Sequence, residues 1–265
     1  MKFAQLALTT LGFGAGISHA DTVLITGANS GIGLEFATQY AARDWNVIAT
    51  HRHEQAPEAL KQLAARYPRV RIERIDVTDP ASVAALAQKL AGAPIDVLIN
   101  NAGVYAESDG DGSTQLFGKY DFALLDTIMA VNVKGPLIVS QALYANVKSS
   151  AQKKIVAISS TTGSLTMGNP GTNAVFYRAS KAALNREMQV VSQTVRPDGV
   201  VVLIIHPGIV RTERIAEYAR RFNVDYPSDA LTPAQSVGQM IDTIAKATLT
   251  QSGRFLRYDG QELPW

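Results

Sequence analysis

Short apolar runs alternate with longer amphipathic stretches along this chain from Thr22 onward. Residues 23–25, 47–49, 70–72, 97–99, 155–158 and 200–205 are brief segments dominated by Val, Ile, Leu and Ala. Such runs, mostly without polar alternation, suit strands buried on both faces, as in a parallel sheet. Between them, the spacing of apolar positions predicts helices over 33–43, 57–66, 80–90, 124–148, 175–195 and 233–248. Two helix starts are marked by Asp79 before Pro80 and Thr232 before Pro233. There an oxygen-bearing side chain can accept an orphan amide, and proline loses only an N–H that would be unpaired anyway. Repeated strand–helix units predict an α/β fold of three layers, doubly wound around a central, mostly parallel sheet. Two stretches break the rhythm. The polar segment 107–118 reads as a surface loop, and 213–231 holds one short helix-like piece, 214–222.

The alternation fills residues 21–265 without a repeat, a heptad pattern or a Pro/Ser-rich linker, which predicts one domain. Residues 1–20 differ: Lys2 precedes a Gly-speckled apolar run to Ile17, then Ser18-His19-Ala20. These are the marks of a secretory signal, and the run is short for a membrane span of about 20 apolar residues. A helical or disordered extension, or a start site set too early, accounts for the same features. Lys and Arg total 25 against 23 Asp and Glu, so the net charge of +2 offers no field for nucleic acid or an anionic membrane. Hydrophobic residues at 46% and charged residues at 18% exclude a disordered chain. The absence of cysteine excludes disulfides, thiolate metal sites and a cysteine nucleophile, while leaving the redox compartment open.

Candidate chemistry begins after the first strand, at Thr26-Gly27-Ala28-Asn29-Ser30-Gly31-Ile32-Gly33. Glycines between a strand and a helix let a pyrophosphate approach backbone amides, with the positive end of the helix dipole behind them. The spacing is neither G-x-G-x-x-G nor a P-loop, because three residues part the first two glycines and Leu34 follows Gly33. A plain turn is the alternative. In a Rossmann domain, an acid about 20 residues further on holds the ribose 2′-hydroxyl of NAD. Here the segment is Ala49-Thr50-His51-Arg52-His53, with no acid, and Arg52 stands 19 positions after Gly33. A guanidinium suits the 2′-phosphate of NADP by charge and fork geometry, so NADP is expected in preference to NAD. The alternative is a solvated arginine.

Tyr177 and Lys181 lie one helical turn apart, on one face of a predicted helix. An ammonium near a phenol favours the phenolate, which suits the tyrosine to giving and taking a proton near neutral pH. Further motifs stand in order: Asn100-Asn101-Ala102-Gly103, Asn132 within Val131-Asn132-Val133, Ser159-Ser160 after the fifth strand, and Pro207-Gly208 after the sixth. Together these resemble the classical short-chain dehydrogenase/reductase family over nearly all of 22–265. Tyr177 to Asn185 and the tail with Gly253-Arg254-Phe255, Asp259-Gly260 and Pro264-Trp265 resemble the branch of C-factor and the sniffer-type carbonyl reductases.

The resemblance implies an NADPH-dependent oxidoreductase interconverting a small carbonyl compound and its alcohol. It implies that Tyr177 protonates the carbonyl oxygen, while Lys181 assists the phenol and holds the nicotinamide ribose. Ser160 would bond the substrate oxygen, and Asn132 would hold a water linking Lys181 to solvent. Gly27, Asn29, Ser30, Gly31, Ile32 and Gly33 would cradle the pyrophosphate, with Arg52 at the 2′-phosphate. Asp76 and Val77 would meet the adenine. Asn101, Ala102 and Gly103 would line the cleft, with Pro207, Gly208, Ile209 and Thr212 at the nicotinamide end. C-factor brings a second reading, an NADP-binding signalling or regulatory protein with little catalysis. Reduced nicotinamide cofactor implies the cytoplasm, and cleavage near Ala20 would instead imply export. The long helices 124–148 and 175–195 leave a homo-oligomer open, since this branch also resembles proteins with fewer subunits.

One interval departs from the family pattern. Seventeen positions separate Ser160 from Tyr177, and Ser164, thirteen before Tyr177, competes for the same role. Ser160 is preferred because it ends an apolar strand, where catalytic groups of such sheets belong. Residues 166–172 would then form an enlarged loop beside the site. His206 before Pro207 reads as a packing residue. His51 and His53 read as solvated loop histidines, without the third ligand a metal needs. Glu35 suits a first helical turn by dipole alone. Arg211, Arg214, Arg220 and Arg221 read as a partly exposed helical lid. The substrate, which the sequence leaves unread, would meet 104–118, 164–176 and 213–231.

Overall fold

A computed structural model describes residues 20–105, 115–167, 174–222, 225 and 228–265. Residues 1–19, most of the 107–118 loop and most of 166–172 lie outside the described residues. Seven strands form one parallel sheet: β1 (Thr22–Ile25), β2 (Asn46–His51), β3 (Val70–Arg74), β4 (Val97–Asn100), β5 (Lys154–Ile158), β6 (Val201–His206) and β7 (Phe255–Arg257). Their order is β3-β2-β1-β4-β5-β6-β7. Every pairing is parallel.

The apolar runs divide their residues between the two faces with the period of two that a strand imposes. Val23, Ile25, Val97, Ile99, Leu203 and Ile205 enter one core with Phe36, Tyr40, Leu60, Met240 and Ile244. Leu24, Leu98, Val202 and Ile204 enter the other with Leu86, Val139, Leu184 and Met188. Helices α1 (Gly31–Ala41), α2 (Glu58–Arg66) and α9 (Pro233–Lys246) thus cover the first face. The second carries α3 (Pro80–Lys89), α5 (Gly135–Ala142) and α7 (Val175–Val195). Burial on both sides explains why these strands are apolar almost throughout. The two predicted helix starts are present: Asp79 accepts the Ala81 amide, and Thr232 forms a capping box with Gln235.

The expected continuous helix over 124–148 is a correction. It comprises α4 (Phe122–Met129), a π turn (Ala130–Lys134), α5 and the short α6 (Tyr144–Lys148). Pro136 has no N–H to bond the Asn132 carbonyl, so the ladder widens there to i→i+5 spacing. The Gly135-Pro136 pair was the visible signal for this break. A second departure is β7, which extends the sheet by a strand too short to read from three residues, Phe255-Leu256-Arg257. Helix α8 (Glu213–Phe222) matches the short piece expected after the sixth strand, beginning one residue earlier.

Candidate active site

The chain leaves β1 at the sheet centre, builds outward to β3, and returns to β4 on the other side of β1. The carboxyl ends of β1 and β4 therefore diverge, which opens the crevice where sheets of this class bind ligands. Asn101 stitches its floor: its Nδ2 donates to the Thr26 and Gly27 carbonyls at 2.9 and 3.1 Å. Thr26 Oγ1 accepts the Asn101 and Ala102 amides, each at 3.0 Å.

Gly27 and Gly31 adopt φ of +64° and +53°, which a side chain rarely tolerates. A Cβ on Gly27 would sit 2.9 Å from Ala102 Cα, and one on Gly33 would sit 2.3 Å from the Gly27 carbonyl oxygen. These glycines bring β1, α1 and the Asn101–Gly103 segment to backbone contact. Gly31 opens α1, whose N-cap Ser30 makes no side-chain capping bond. Ser30 thus leaves the first-turn amides uncapped, as a pyrophosphate site requires. A Cβ on Gly31 would lie 3.4 Å from the Thr212 methyl, so Thr212 faces the glycine loop across the crevice. The loop fits the phosphates of a dinucleotide.

At the adenosine end, Asp76 accepts bonds from the Thr78 amide and hydroxyl at 2.9 and 2.7 Å. Those bonds first, and then the nearby Arg52 and Arg74 charges, hold its carboxyl below the usual range. Val77 is buried, its side chain 3.0 Å from where a Cβ on Gly135 would lie. Arg52 is exposed, one residue beyond β2.

At the other end, the π turn carries Asn132, which is 1% exposed. Its Oδ1 accepts the Val104 amide at 2.8 Å, while Nδ2 donates to the Val104 carbonyl at 2.8 Å and to Ser180 Oγ at 3.0 Å. Asn132 therefore fastens the segment after β4 to α7. A Cβ on Gly103 would lie 3.4 Å from Asn132 Oδ1 and 3.9 Å from Lys181 Nζ, so both polar groups meet at that glycine. Lys181, buried on α7, donates to the Ile158 carbonyl at 2.9 Å, and its Nζ lies 5.7 Å from the Tyr177 ring centroid. The Tyr105 ring leans on Tyr177, with centroids 4.7 Å apart.

Ser160 and Ser164 have different surroundings. Ser160 follows the end of β5 by two residues, and its Oγ accepts from the Thr162 amide and hydroxyl at 3.2 and 2.9 Å. Ser164 Oγ is turned to the chain's last residues, donating to the Pro264 carbonyl at 3.0 Å and accepting the Met167 amide at 3.1 Å. Gly163, between them, packs where a Cβ would lie 2.5 Å from the Lys181 carbonyl carbon. Past β6, Pro207 and Gly208 turn the chain beneath Tyr258, and Ile209 is 45% exposed.

His206 belongs to the structure rather than to proton transfer. Its Nδ1 accepts the Thr161 amide at 3.4 Å, and burial, with Arg257 nearby, lowers its pKa from 6.5 to about 4. A protonated ring would present N–H to N–H. The unfolded chain therefore binds more protons between about pH 6.5 and 4, so this contribution is complete above that window and lost through it as pH falls. Urea unfolding should show a stability loss of at most about 3 kcal/mol across the window, flattened in His206→Gln.

The expectation of solvated loop histidines is corrected for His51. It is the last residue of β2, 4% exposed, with Nδ1 lacking a partner, and its ring stacks 6.3 Å from that of His53. The strand runs two residues further than its apolar run suggested, because pairing with β3 continues to Arg74. Within α8, Arg220 pairs with Glu213 at 3.1 Å, while the side chains of Arg214 and Arg221 lie outside the described residues. Tyr105 lies in the 104–118 segment expected to meet the substrate, but its contact with Tyr177 was not foreseen. That contact carries no local signal, since the two rings are 72 positions apart in the chain.

A family model for short chain dehydrogenases matches residues 21–221, and the chain belongs to that family of oxidoreductases. Among solved structures it is similar to an NADPH-bound carbonyl reductase from chicken fatty liver, at 31% identity and TM-score 0.80, over 93% of this chain and 99% of that one. The carbonyl reductase Sniffer of D. melanogaster is 27% identical with TM-score 0.79, over 93% of this chain and all of that one. The C-signal protein of Myxococcus xanthus is 34% identical across 68% of this chain and 99% of its own length.

Proposed function

We propose that the protein is an NADPH-dependent reductase of ketones or aldehydes, reversible toward the alcohol. The observation that carries this reading is the meeting of Tyr177, Lys181 and Asn132 at one end of a crevice whose other end is the glycine loop. When bound, the nicotinamide supplies or accepts the hydride. Tyr177 holds the proton that passes to the carbonyl oxygen. The Lys181 ammonium, fixed by the Ile158 carbonyl, stabilises the phenolate left behind. Ser160 donates its hydroxyl proton to the same substrate oxygen, where negative charge develops. Asn132 fixes Val104 and Ser180, and so the distance between the β4 end and α7 on which this geometry depends. Exposed Leu165, Met167 and Ile209 on neighbouring segments favour substrates with an apolar body.

Oxidation of NADPH by a panel of aldehydes, ketones and diketones tests the activity. Within that assay, Ser160→Ala should lower kcat by about 100-fold, in line with loss of one oxyanion donor. Ser164→Ala should leave kcat within a factor of about three, since its hydroxyl serves the Pro264 carbonyl. Full activity in Ser160→Ala would remove that residue from the mechanism. The similarity to C-signal favours a second reading, an NADP-binding regulatory protein. Tight cofactor binding with no turnover of any carbonyl would decide for it.

A further inference from the structure

Pro264 and Trp265 close the distinctive tail of the sequence, and no step of the reduction uses either. Residues 261–265 fold back along β7. Gly260, at φ +86°, turns the chain, and Leu256 then bridges Glu262 in antiparallel sense. The Leu263 amide donates to the Phe255 carbonyl at 2.8 Å, and Arg254 pairs with Glu262 at 2.7 Å. The Trp265 ring stacks on the buried Phe255 ring, with centroids 5.6 Å and planes 23° apart. Phe255 belongs to the core that also holds Leu184 and Met188 of α7. Trp265 is therefore fixed to the sheet by its own side chain.

The carbonyls of this fixed pair face the segment that follows Ser160. Ser164 Oγ donates to the Pro264 carbonyl at 3.0 Å. The Thr166 amide donates to the Trp265 carbonyl at 2.9 Å, and the Thr166 hydroxyl donates to the same oxygen. Ser164 Oγ also accepts the Met167 amide at 3.1 Å, which closes a tight turn. On the other side, Gly163 is locked against the Lys181 backbone of α7. Residues 163–167 are thus held from α7 at one end and from Trp265 at the other. Between the two bonded residues, Leu165 is 88% exposed. Three hydrogen bonds keep this leucine in water close to Ser160, where a free segment could fold it away.

We propose that Trp265 is a positioning residue of the substrate site: with Pro264, it holds Leu165 and Met167 against the apolar body of the carbonyl substrate. This rests on the reductase reading above. The stack on Phe255 sets where the two carbonyls stand, and the carbonyls set where Leu165 stands. That contact is made away from the reacting carbon, so it strengthens ground state and transition state alike. Its loss raises KM and leaves kcat in place.

The test uses the full chain with NADPH and two pairs of carbonyls that differ within each pair only in apolar length. These are propanal with octanal, and methyl ethyl ketone with methyl hexyl ketone. The parent should show a KM at least 10-fold lower for the longer member. Trp265→Ala should raise the KM of the longer member about 10-fold, with kcat and the NADPH Kd within a factor of about three. Trp265→Phe keeps a ring on Phe255 and should restore most of the loss. Thr166→Val removes one bond from an exposed residue and should raise the same KM about threefold or more. It reads the same link should Trp265→Ala fail to fold. A lower melting temperature in Trp265→Ala with unchanged KM marks a purely structural stack and overturns the proposal, as does an unchanged KM in Thr166→Val. A fall in kcat or NADPH affinity with both members of a pair also overturns it, since that marks a general disturbance of the cleft. Equal KM for short and long carbonyls in the parent overturns the proposal and leaves the reductase reading standing. Oxidation of NADPH by neither pair overturns that reading and the proposal with it.

Discussion

Tyr177→Phe is expected to lower turnover of any accepted carbonyl by about 10³-fold, the range of a lost general acid. The substitution removes one oxygen and keeps the ring. The 4.7 Å contact with Tyr105 and the packing of α7 should therefore survive, and the melting temperature with them. NADP affinity should stay within a factor of about three, because the glycine loop and Arg52 lie at the other end of the crevice. Stopped-flow and steady-state assays of kcat, paired with calorimetric Kd, separate these outcomes. Unchanged turnover with the hydroxyl gone would refute the proton-transfer role. A parallel loss of cofactor affinity would show that the variant disturbs the cleft rather than the chemistry.

The second large effect is expected at Gly33. A methyl there would lie 2.3 Å from the Gly27 oxygen and 2.5 Å from Asn101 Nδ2, both parts of the same stitched floor. Asn101 already donates to Gly27 and Thr26, so it cannot withdraw without leaving two carbonyls short of a partner. Either the loop lifts or α1 shifts outward, and both movements spoil the backbone cradle for the pyrophosphate. Gly33→Ala should weaken NADP binding at least 100-fold and destabilise the fold by about 1–3 kcal/mol through overpacking. For a domain of this size that is about 2–10 °C in melting temperature. Thermal shift with and without NADP reads both numbers at once. Gly238→Ala in α9 is the counterpart: its nearest atom would be Gln39 Oε1 at 3.6 Å, an ordinary contact. It should raise stability by up to about 1 kcal/mol, as glycine in a helix interior predicts. Parental NADP binding by Gly33→Ala would show that the loop is not the phosphate cradle.

Strands β1, β2, β4, β5 and β6 were legible because a strand buried on both faces is apolar along most of its length. The edge strand β3, with exposed Arg71 and Arg74, was read from Val70 and Ile72 alone. Helix α7 was legible to its end residues, Val175 and Val195, because its apolar positions keep one period over 21 residues. The break at Asn132 was missed although Gly135-Pro136 signalled it, because the flanking periodicity stayed helical on both sides. Tyr177 and Lys181 could be paired from sequence, being one turn apart on a single helix. Their approach to Asn132 could not, since it depends on α7 packing against a π turn 45 residues earlier than Tyr177.

What this sequence determined by itself is the set of local rules: the strand and helix periods, the glycines that permit a tight loop, and the ordered motifs of the family. These depend on neighbours within about one or two turns of chain, so residue type and spacing suffice. The tertiary structure alone decided which distant groups share a surface. It placed Tyr105 on Tyr177, turned Ser164 toward Pro264 while Ser160 stayed at the end of β5, and buried His51 with its own Nδ1 unpaired. It also set His51 opposite Arg74, because the register between β2 and β3 is fixed by the burial of their apolar positions, and a one-residue slip would exchange the faces of every side chain.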